Sequence, residues 1–308
     1  MTDPAAPSRT RARLFIILAA VLWSLSGFFA KVLRHPTPLG LDSPSLDGAQ
    51  IAFWRVLFAG LILVPTLRRA DVSFRWGMVA LVACFAAMNA LYLRAMTEGQ
   101  AANAVWLQYT APAWIYLASA AGFGERPGRR GARALVLAMA GVAVILAFNR
   151  EGEALRPVLL ALGSGAMYAG VVLGLRALRS ESSRWLTVLN HLGSAVLLFP
   201  WALGLGWPSA GQLGWLFLFG AVQMGLPYWL MARGLRGVTS QEAGTLTLLE
   251  PLLLPIWAYL VSGEVPGWPT FVGGSLIGAA LVWQYWPEKA AFSSEGVDCN
   301  GQGQHPGG

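Results

Sequence analysis

Three apolar stretches of the sequence carry ionisable side chains in their interior. Glu250 lies in LTLLEPLLLP, Arg55 lies in AFWRVLF, and His191 directly follows Asn190. A carboxylate in such a setting can hold a proton, pair with an ammonium group of a solute, or form an ion pair between neighbouring helices. For Glu250 the sequence leaves these roles open. For Arg55 and His191 it favours a structural role over contact with a solute, and Arg55 is close enough to a segment end to reach the surface.

A proline accompanies polar or aromatic residues in two apolar stretches. Pro251 follows Glu250 directly, and Pro112 comes shortly after Gln108 and Tyr109. Because proline lacks a backbone N–H and disturbs a helix, we expect both prolines to mark helix breaks or hinges. At Pro251 the break would leave a carbonyl oxygen facing the interior of the protein.

A wider set of aromatic and amide side chains accompanies these groups. Aromatic walls with a few hydrogen-bonding groups suit an amphipathic organic solute better than a metal ion or a phosphate. The candidate residues for a solute cavity are Trp23, Asn89, Gln108, Tyr109, Tyr168, His191, Gln223, Tyr228 and Glu250.

Motifs of bond-making chemistry are missing from the sequence. Neither Lys31 nor Lys289 ends a GxxxxGK[ST] loop, so we expect no nucleotide bound by a P-loop. The histidines form no HExxH pair, and no aspartate falls inside an apolar stretch, which argues against a zinc protease and an intramembrane aspartyl protease. We therefore predict a protein that is not an enzyme and needs no cofactor or metal.

The chain is too apolar for a water-soluble domain. Of its 308 residues 56% are hydrophobic and 12% are charged, and the mean hydropathy is +0.54; soluble proteins carry about 25% charged residues. A helix needs about 20 apolar residues to cross the hydrocarbon core of a membrane. We predict an all-α polytopic membrane protein with ten transmembrane helices at about 14–33, 50–67, 76–96, 101–122, 132–148, 157–175, 185–204, 212–232, 242–261 and 270–286.

The basic residues predict how the chain is oriented. Sixteen of the 22 Lys and Arg residues fall on the side of the N-terminus and five on the other, with Arg55 inside a span. Because cytoplasmic loops are enriched in Lys and Arg, we expect both termini in the cytoplasm. The net charge of +7 is then a topology signal, and we expect the lipid bilayer and a small solute as partners, with no nucleic acid.

The two halves of the sequence are related by an offset of 139 residues. This offset places the GERPG segment at 124–128 on the GEVPG segment at 263–267, and Pro112 on Pro251. Each half holds five spans, and an odd number inverts the second half in the membrane. The predicted organisation is a cytoplasmic tail at 1–13, two inverted five-helix repeats at 14–148 and 157–286, and a polar, disordered cytoplasmic tail at 287–308.

The duplicated GExPG loop, the proline-containing fourth and ninth spans and the Gly/Ala-rich last span of each half resemble the EamA domain of the drug/metabolite transporter superfamily. The resemblance covers about residues 14–286. It implies a basket-shaped bundle whose central cavity is lined by helices one to four and six to nine, with helices five and ten at the periphery. It also implies export of small metabolites, often amino acids, from bacterial cytoplasm, with the aromatic amino acid exporters as one related branch.

Together these features predict a secondary transporter in the bacterial inner membrane that works by alternating access. We expect it to export small zwitterionic or neutral metabolites, above all aromatic or other apolar amino acids. The alternatives are broad-specificity drug and metabolite efflux and, in another class, a passive channel. The sequence allows a monomer or a homodimer, because small residues that let helices approach closely would suit either packing within one chain or a dimer seam: Ala134, Ala138, Gly141, Gly273, Gly274 and Gly278.

Overall fold

The computed structural model describes residues 7–37, 41, 45–122, 129–148, 155–238 and 240–285. Within these residues all regular structure is helical, which confirms the predicted all-α class. A π-helical turn at Phe219–Gly225 joins two of the helices, and short 3-10 turns lie at Val64–Thr66 and Arg69–Asp71. The helices are α1 (Arg9–Ser24), α2 (Ser26–Arg34), α3 (Gly48–Leu63), α4 (Trp76–Glu98), α5 (Ala101–Gln108), α6 (Ala111–Gly122), α7 (Arg129–Ala147), α8 (Leu155–Ala177), α9 (Ser183–Leu203), α10 (Ala210–Leu218), α11 (Leu226–Gly234), α12 (Ser240–Thr247), α13 (Leu249–Ser262) and α14 (Trp268–Tyr285).

Helices lie at all ten positions where the sequence predicts spans. Eight of these segments in the described residues are long and apolar enough to cross a membrane, so the protein is a polytopic membrane protein. The remaining two segments are the interrupted pair α5–α6 and α14, which has 18 residues. That they also cross the membrane, giving ten spans, stays a prediction. The predicted tail at 287–308 and the GERPG loop at 124–128 lie outside the described residues.

Four of the segments are interrupted near their middle. The α5–α6 and α12–α13 breaks precede Pro112 and Pro251, so each proline falls in the first turn of the helix that follows, where its missing N–H costs no hydrogen bond. The segment α1–α2 breaks at Leu25, and the π-helical turn separates α10 from α11. The sequence predicts the two breaks at prolines but neither of the other two.

The contacts between helices pair up across the two halves of the chain. Helix α4 packs on α8, and its counterpart α11 packs on α1. Helices α5 and α6 contact α8, just as α12 and α13 contact α1. Two helices pack on their own counterparts, α3 on α9 and α7 on α14. This arrangement places the interrupted helices around the centre of the bundle and the pair α7–α14 beside them.

The small residues of α7 and α14 pack against each other within one chain. A Cβ added to Gly141 would lie 2.5 Å from the carbonyl oxygen of Gly273, and one added to Gly273 would lie 2.5 Å from that of Gly141. Gly274 and Gly278 face the Trp106 ring of α5 instead. Of the two roles that the sequence leaves open, the structure shows packing within the chain.

We expect Gly141→Ala to lower the thermal stability of the purified protein. The added methyl group would overlap a backbone carbonyl that no rotamer change can move, and overpacking of this kind costs about 1–3 kcal/mol. Gly214→Ala is the matched control, because the space around Gly214 is open and alanine favours a helix over glycine. Equal melting temperatures for the two variants would contradict the close approach of α7 and α14.

Candidate functional site

A cavity of about 410 Å³ lies among the interrupted helices. Its walls combine polar and aromatic groups with apolar side chains such as Phe85, Met88 and Met224. The lining reaches Leu175 near the end of α8 and Ala243 near the start of α12, which belong to the end of the bundle that the basic residues predict to be cytoplasmic. The polar and aromatic lining residues are Trp23, Arg55, Tyr92, Gln108, Tyr109, Tyr168, Thr187, Asn190, His191, Gln223, Tyr228, Thr247 and Glu250.

The structure brings together eight of the nine residues that the sequence proposes for a cavity. Asn89 is fully buried and does not line the cavity. Pro112 is part of the lining, whereas Pro251 is buried in α13 and is not. The lining comes from the helices that the family resemblance implies, with one addition, Leu281 from the tenth segment.

Arg55 is the cation of the cavity and is 4% exposed, so its side chain does not extend to the membrane surface. Its guanidinium donates to Oδ1 of Asn89 on α4 and to Oε1 of Gln223 at 3.4 Å. The guanidinium also lies 5.1 Å from the centre of the Phe219 ring. Gln223 in turn donates to the carbonyl oxygen of Trp23 at 2.9 Å. The arginine therefore links α3, α4 and the π-helical turn, and through Gln223 it reaches α1.

Glu250 is the anion of the cavity, and its described hydrogen bond comes from Tyr109. The Tyr109 hydroxyl lies 2.9 Å from Oε2 of Glu250 and 3.2 Å from the carbonyl oxygen of Thr247. Thr247 is the last residue of α12, and carbonyl oxygens at the end of a helix have no partner within it. One tyrosine thus joins the break after α5 to the break before α13.

Two serines of the first segment, outside the cavity lining, tie it to α4 and α13. The indole nitrogen of Trp257 donates to Ser24 at 2.8 Å, and Ser26 shares a hydrogen bond with the Tyr92 hydroxyl at 3.2 Å. Both serines flank the break at Leu25. At such a break, a serine hydroxyl can form hydrogen bonds that the backbone of a regular helix would otherwise compete for.

The cavity lining also contains residues that are not among the predicted ones: Tyr92, Thr187, Thr247 and the apolar side chains. Tyr92 lies three residues after Asn89, so both fall on one face of α4, and this helical spacing was the available signal. Phe85 and Met88 belong to the same face but look like ordinary core residues in the sequence. Met224 and Met231 lie in the eighth segment, where the π-helical turn changes the spacing from which a face could be read.

An ion pair joins the helices at the end of the bundle opposite to Leu175 and Ala243, where its two residues line a second cavity of about 380 Å³. Lys31 of α2 lies 2.6 Å from Oε2 of Glu264, in the loop between α13 and α14, with side chains 8% and 12% exposed. Lys31 also donates to the carbonyl oxygen of Gly99, and the Ala101 backbone N–H donates to Glu264 at 2.7 Å. Helix α2, the start of α5 and the loop before α14 are thereby held together.

Aromatic rings fill the bundle between Arg55 and this ion pair. The Phe29 ring is stacked on Phe219, with ring centres 4.9 Å apart and planes at 12°. Trp215 packs against both Phe28 and Phe29. This aromatic layer connects Arg55, which lies against the Phe219 ring, to α2, the helix that carries Lys31.

Hydrogen bonds also tie two loops at the predicted cytoplasmic end. Ser73 and Arg75, before α4, both donate to Glu181, which follows α8. These bonds hold the pKa of Glu181 below its usual range. Ser182 donates to Asp71 at 2.9 Å and helps to lower the pKa of that carboxyl, after the larger effect of the Arg68 backbone N–H. The loops of the two halves therefore meet at this end.

Comparison with known proteins identifies the class of this bundle and cavity. The chain resembles a solved crystal structure with a TM-score of 0.61 at 17% identity, over 90% of this chain and 98% of the other, which shows a shared fold. The model of the EamA-like transporter family matches residues 10–147 and 155–286. The protein is a polytopic membrane transporter. It belongs to the EamA-like transporter family.

Curated relatives span nearly the same length. An uncharacterized transporter of Bacillus subtilis, YwfM, is 29% identical over 87% of this chain and 92% of its own length. A riboflavin transporter of Rhizobium johnstonii is 26% identical over 88% and 89%. The pseudopaline exporter CntI of Pseudomonas aeruginosa is 26% identical over 78% and 87%. All three are named as transporters or exporters, and the two that are named for a solute differ in it.

We expect Glu264→Gln to open the end of the bundle that Lys31 and Glu264 hold together. Removing one partner of a buried ion pair leaves the other charge uncompensated and costs the closed arrangement about 3–5 kcal/mol. The measurement is the labelling rate of a cysteine at position 88 in the cavity, in a background without Cys84 and Cys299. A membrane-impermeant maleimide added from the predicted outer side should react at least tenfold faster in the variant.

Two further variants give this labelling experiment its controls. Glu181→Gln removes the partner of an exposed arginine, Arg75, and should leave the labelling rate unchanged because such pairs contribute little. Adding Lys31→Met to Glu264→Gln removes the orphaned charge and should slow labelling again. Unaltered labelling in Glu264→Gln would show that the ion pair does not hold the end closed.

Proposed function

We propose that the protein is a secondary transporter that exports small zwitterionic or neutral metabolites, with aromatic and other apolar amino acids as its best substrates. The observation that supports this proposal most is a pair of opposite charges in one cavity, each bound only to neutral groups. Arg55 donates to two amide oxygens, and Glu250 accepts from a phenol. Within the part of the chain that the structure describes, neither forms an ion pair.

A zwitterion would compensate both charges at once. Charge-assisted hydrogen bonds to a carboxylate and to an ammonium group are about twice as strong as neutral ones, and buried charges without a partner are costly. We assign the carboxylate of the solute to Arg55 and its ammonium group to Glu250. A phosphorylated solute would need several cations, and Arg55 is the only one among the described lining residues.

The rest of the lining suits an apolar side chain on such a solute. Phe85, Met88 and Met224 supply apolar and flexible surface, and Trp23 lies edge to face against Tyr228 with ring centres 5.5 Å apart. The cavity of about 410 Å³ falls within the roughly 300–1,000 Å³ of small-molecule sites. Its volume and walls favour single metabolites of amino-acid size.

Alternating access accounts for movement of the solute. The cavity reaches the predicted cytoplasmic end, and the Lys31–Glu264 pair joins helices at the other end, which supports a state open to the cytoplasm. We propose that the two halves exchange these arrangements, as inverted repeats allow, with both termini in the cytoplasm of a bacterial inner membrane. Without a P-loop, the energy would come from the solute gradient or from protons, for which Glu250 is the candidate site.

Broad-specificity efflux is the second candidate function. The methionines at positions 88, 224 and 231 give the cavity walls that adapt to different shapes. The relatives named for riboflavin and for pseudopaline differ in solute at equal identity to this chain. A passive channel is less favoured, because the ion pair joins the helices at one end of the bundle.

We expect the purified protein to distinguish phenylalanine from derivatives that lack one of its charges. In binding assays and in proteoliposome flux, phenylalaninamide and N-acetylphenylalanine should each be at least tenfold weaker, because each leaves Arg55 or Glu250 without its ionic partner. Leucine tests the apolar requirement, and a sugar phosphate is the matched negative control. Robust exchange of the sugar phosphate without amino acid flux would contradict the proposal.

We expect Glu250→Gln to reduce amino acid flux at least tenfold and to remove its dependence on pH. Glutamine can still accept the hydrogen bond of Tyr109 but carries neither the charge nor the proton. Wild-type flux should vary with pH because protonation of Glu250 removes the charge that pairs with the ammonium group. Flux across pH is compared with melting curves for the same proteins.

The matched control for this experiment is Glu242→Gln. Glu242 pairs with Arg9 and Arg13 and does not line the cavity, so the pH profile of flux should stay that of the wild type. A lower melting temperature with an unchanged pH profile in Glu250→Gln would make Glu250 a packing carboxylate and remove its coupling role.

A further inference from the structure

Two neighbouring hydrogen-bond acceptors of the cavity lack partners. His191 is fully buried and Asn190 is 4% exposed, and both line the cavity from α9. Nε2 of His191 and Oδ1 of Asn190 have no hydrogen-bond partner among the described residues. Buried polar atoms are nearly always paired in native proteins, so these two positions call for a donor from outside the protein chain.

The bond on the other ring nitrogen determines what Nε2 of His191 can do. Nδ1 lies 2.7 Å from the carbonyl oxygen of Thr187, one helical turn earlier. A carbonyl oxygen only accepts, so Nδ1 carries the proton and donates. A second proton on Nε2 would put a charge on a fully buried ring with no anionic partner among its described contacts, which is costly. Nε2 is therefore an acceptor and requires an N–H or O–H group.

Aromatic rings surround this acceptor. The His191 ring lies 5.0 Å from Phe85 and 5.1 Å from Tyr228, with its plane at 88° to the tyrosine ring. Tyr228 in turn lies edge to face with Trp23. A flat ring that enters this part of the cavity would find aromatic surface and the Nε2 acceptor of His191, with Asn190 as a second lining acceptor on the same helix.

We propose that His191 and Asn190 accept a hydrogen bond from a donor on the side chain of the solute, so that the site selects ring-bearing zwitterions with an N–H or O–H group. This inference rests on the proposed function, because it assumes that Arg55 and Glu250 hold the charged end of the solute. It adds that the side chain of the solute, at the end away from the two charges, carries a hydrogen-bond donor.

Selection follows from the cost of leaving the acceptor unpaired. A solute without the donor displaces water from Nε2 and supplies nothing in return, whereas a solute with the donor completes the bond. Sites that bind a hydroxyl or N–H group in this way reject analogues that lack it more strongly than a hydrophobic pocket rejects a missing methylene group. The alternative occupant is a water molecule that stays in place for every solute.

The first test uses the wild-type full-length protein and pairs of solutes that differ by one donor. Tryptophan is compared with its benzothiophene analogue, in which sulfur replaces the ring N–H, and tyrosine is compared with phenylalanine. We expect tryptophan and tyrosine to bind about tenfold more tightly than their partners, the effect of one buried acceptor left unpaired. The readouts are calorimetric binding and competition for flux in proteoliposomes.

The second test uses His191→Phe, which keeps a ring against Phe85 and Tyr228 but has no acceptor. The ratio of tryptophan affinity to analogue affinity should fall from about ten to near one. His35→Phe is the matched control, because His35 lies outside this cavity, and it should keep the wild-type ratio. The comparison within the wild type needs no variant, so the proposal stays testable even if His191→Phe does not fold.

The outcomes separate this inference from the function on which it rests. Equal affinity of the wild type for both members of each pair would overturn the inference and indicate a retained water, while the zwitterion site stands. A tenfold ratio that persists in His191→Phe would also overturn it, because the donor would be bound elsewhere. If phenylalanine, leucine and tryptophan all fail to bind, the proposed function itself fails.

Discussion

The buried guanidinium of Arg55 is the group on which the centre of this bundle depends. A cation at membrane depth is away from the lipid headgroups, so its partners come from the protein or from a cavity that the protein encloses. Asn89 and Gln223 provide them from two different helices, and Gln223 extends the chain of bonds to the backbone of Trp23. Through these two partners and the bond from Gln223 to Trp23, one charge links α1, α3, α4 and the π-helical turn.

The interruptions of four helices follow from a related constraint on the backbone. A broken helix exposes carbonyl and N–H groups, which are tolerated at membrane depth only where the protein or a wet cavity satisfies them. Tyr109 satisfies Thr247 across the centre of the bundle, and Ser24 and Ser26 lie at the break at Leu25. The cavity is thus the place where irregular backbone can exist, and its walls consist largely of the residues that make this irregularity possible.

Much of this arrangement can be predicted from the sequence, but not the contacts themselves. The length of the apolar stretches predicts the segments, and the placement of Lys and Arg predicts their orientation. Proline predicts two of the breaks. The break at Leu25 has no comparable signal, because serine and glycine are also common inside membrane helices. Tyr109 and Glu250 were each proposed for the cavity, yet their hydrogen bond joins residues 141 positions apart and depends on the geometry of both breaks. Asn89 was proposed for the lining, but Arg55 occupies its oxygen, which only packing decides.

The contact between Gly141 and Gly273 has a practical consequence for measurements of motion. Because the two backbones approach without a side chain between them, we expect α7 and α14 to move as one unit at the edge of the bundle. Val136 and Phe271 are 69% and 59% exposed on these helices. Spin labels or fluorophores at these two positions would serve as reference points within the molecule. Distances from them to the interrupted helices would then report how far those helices move.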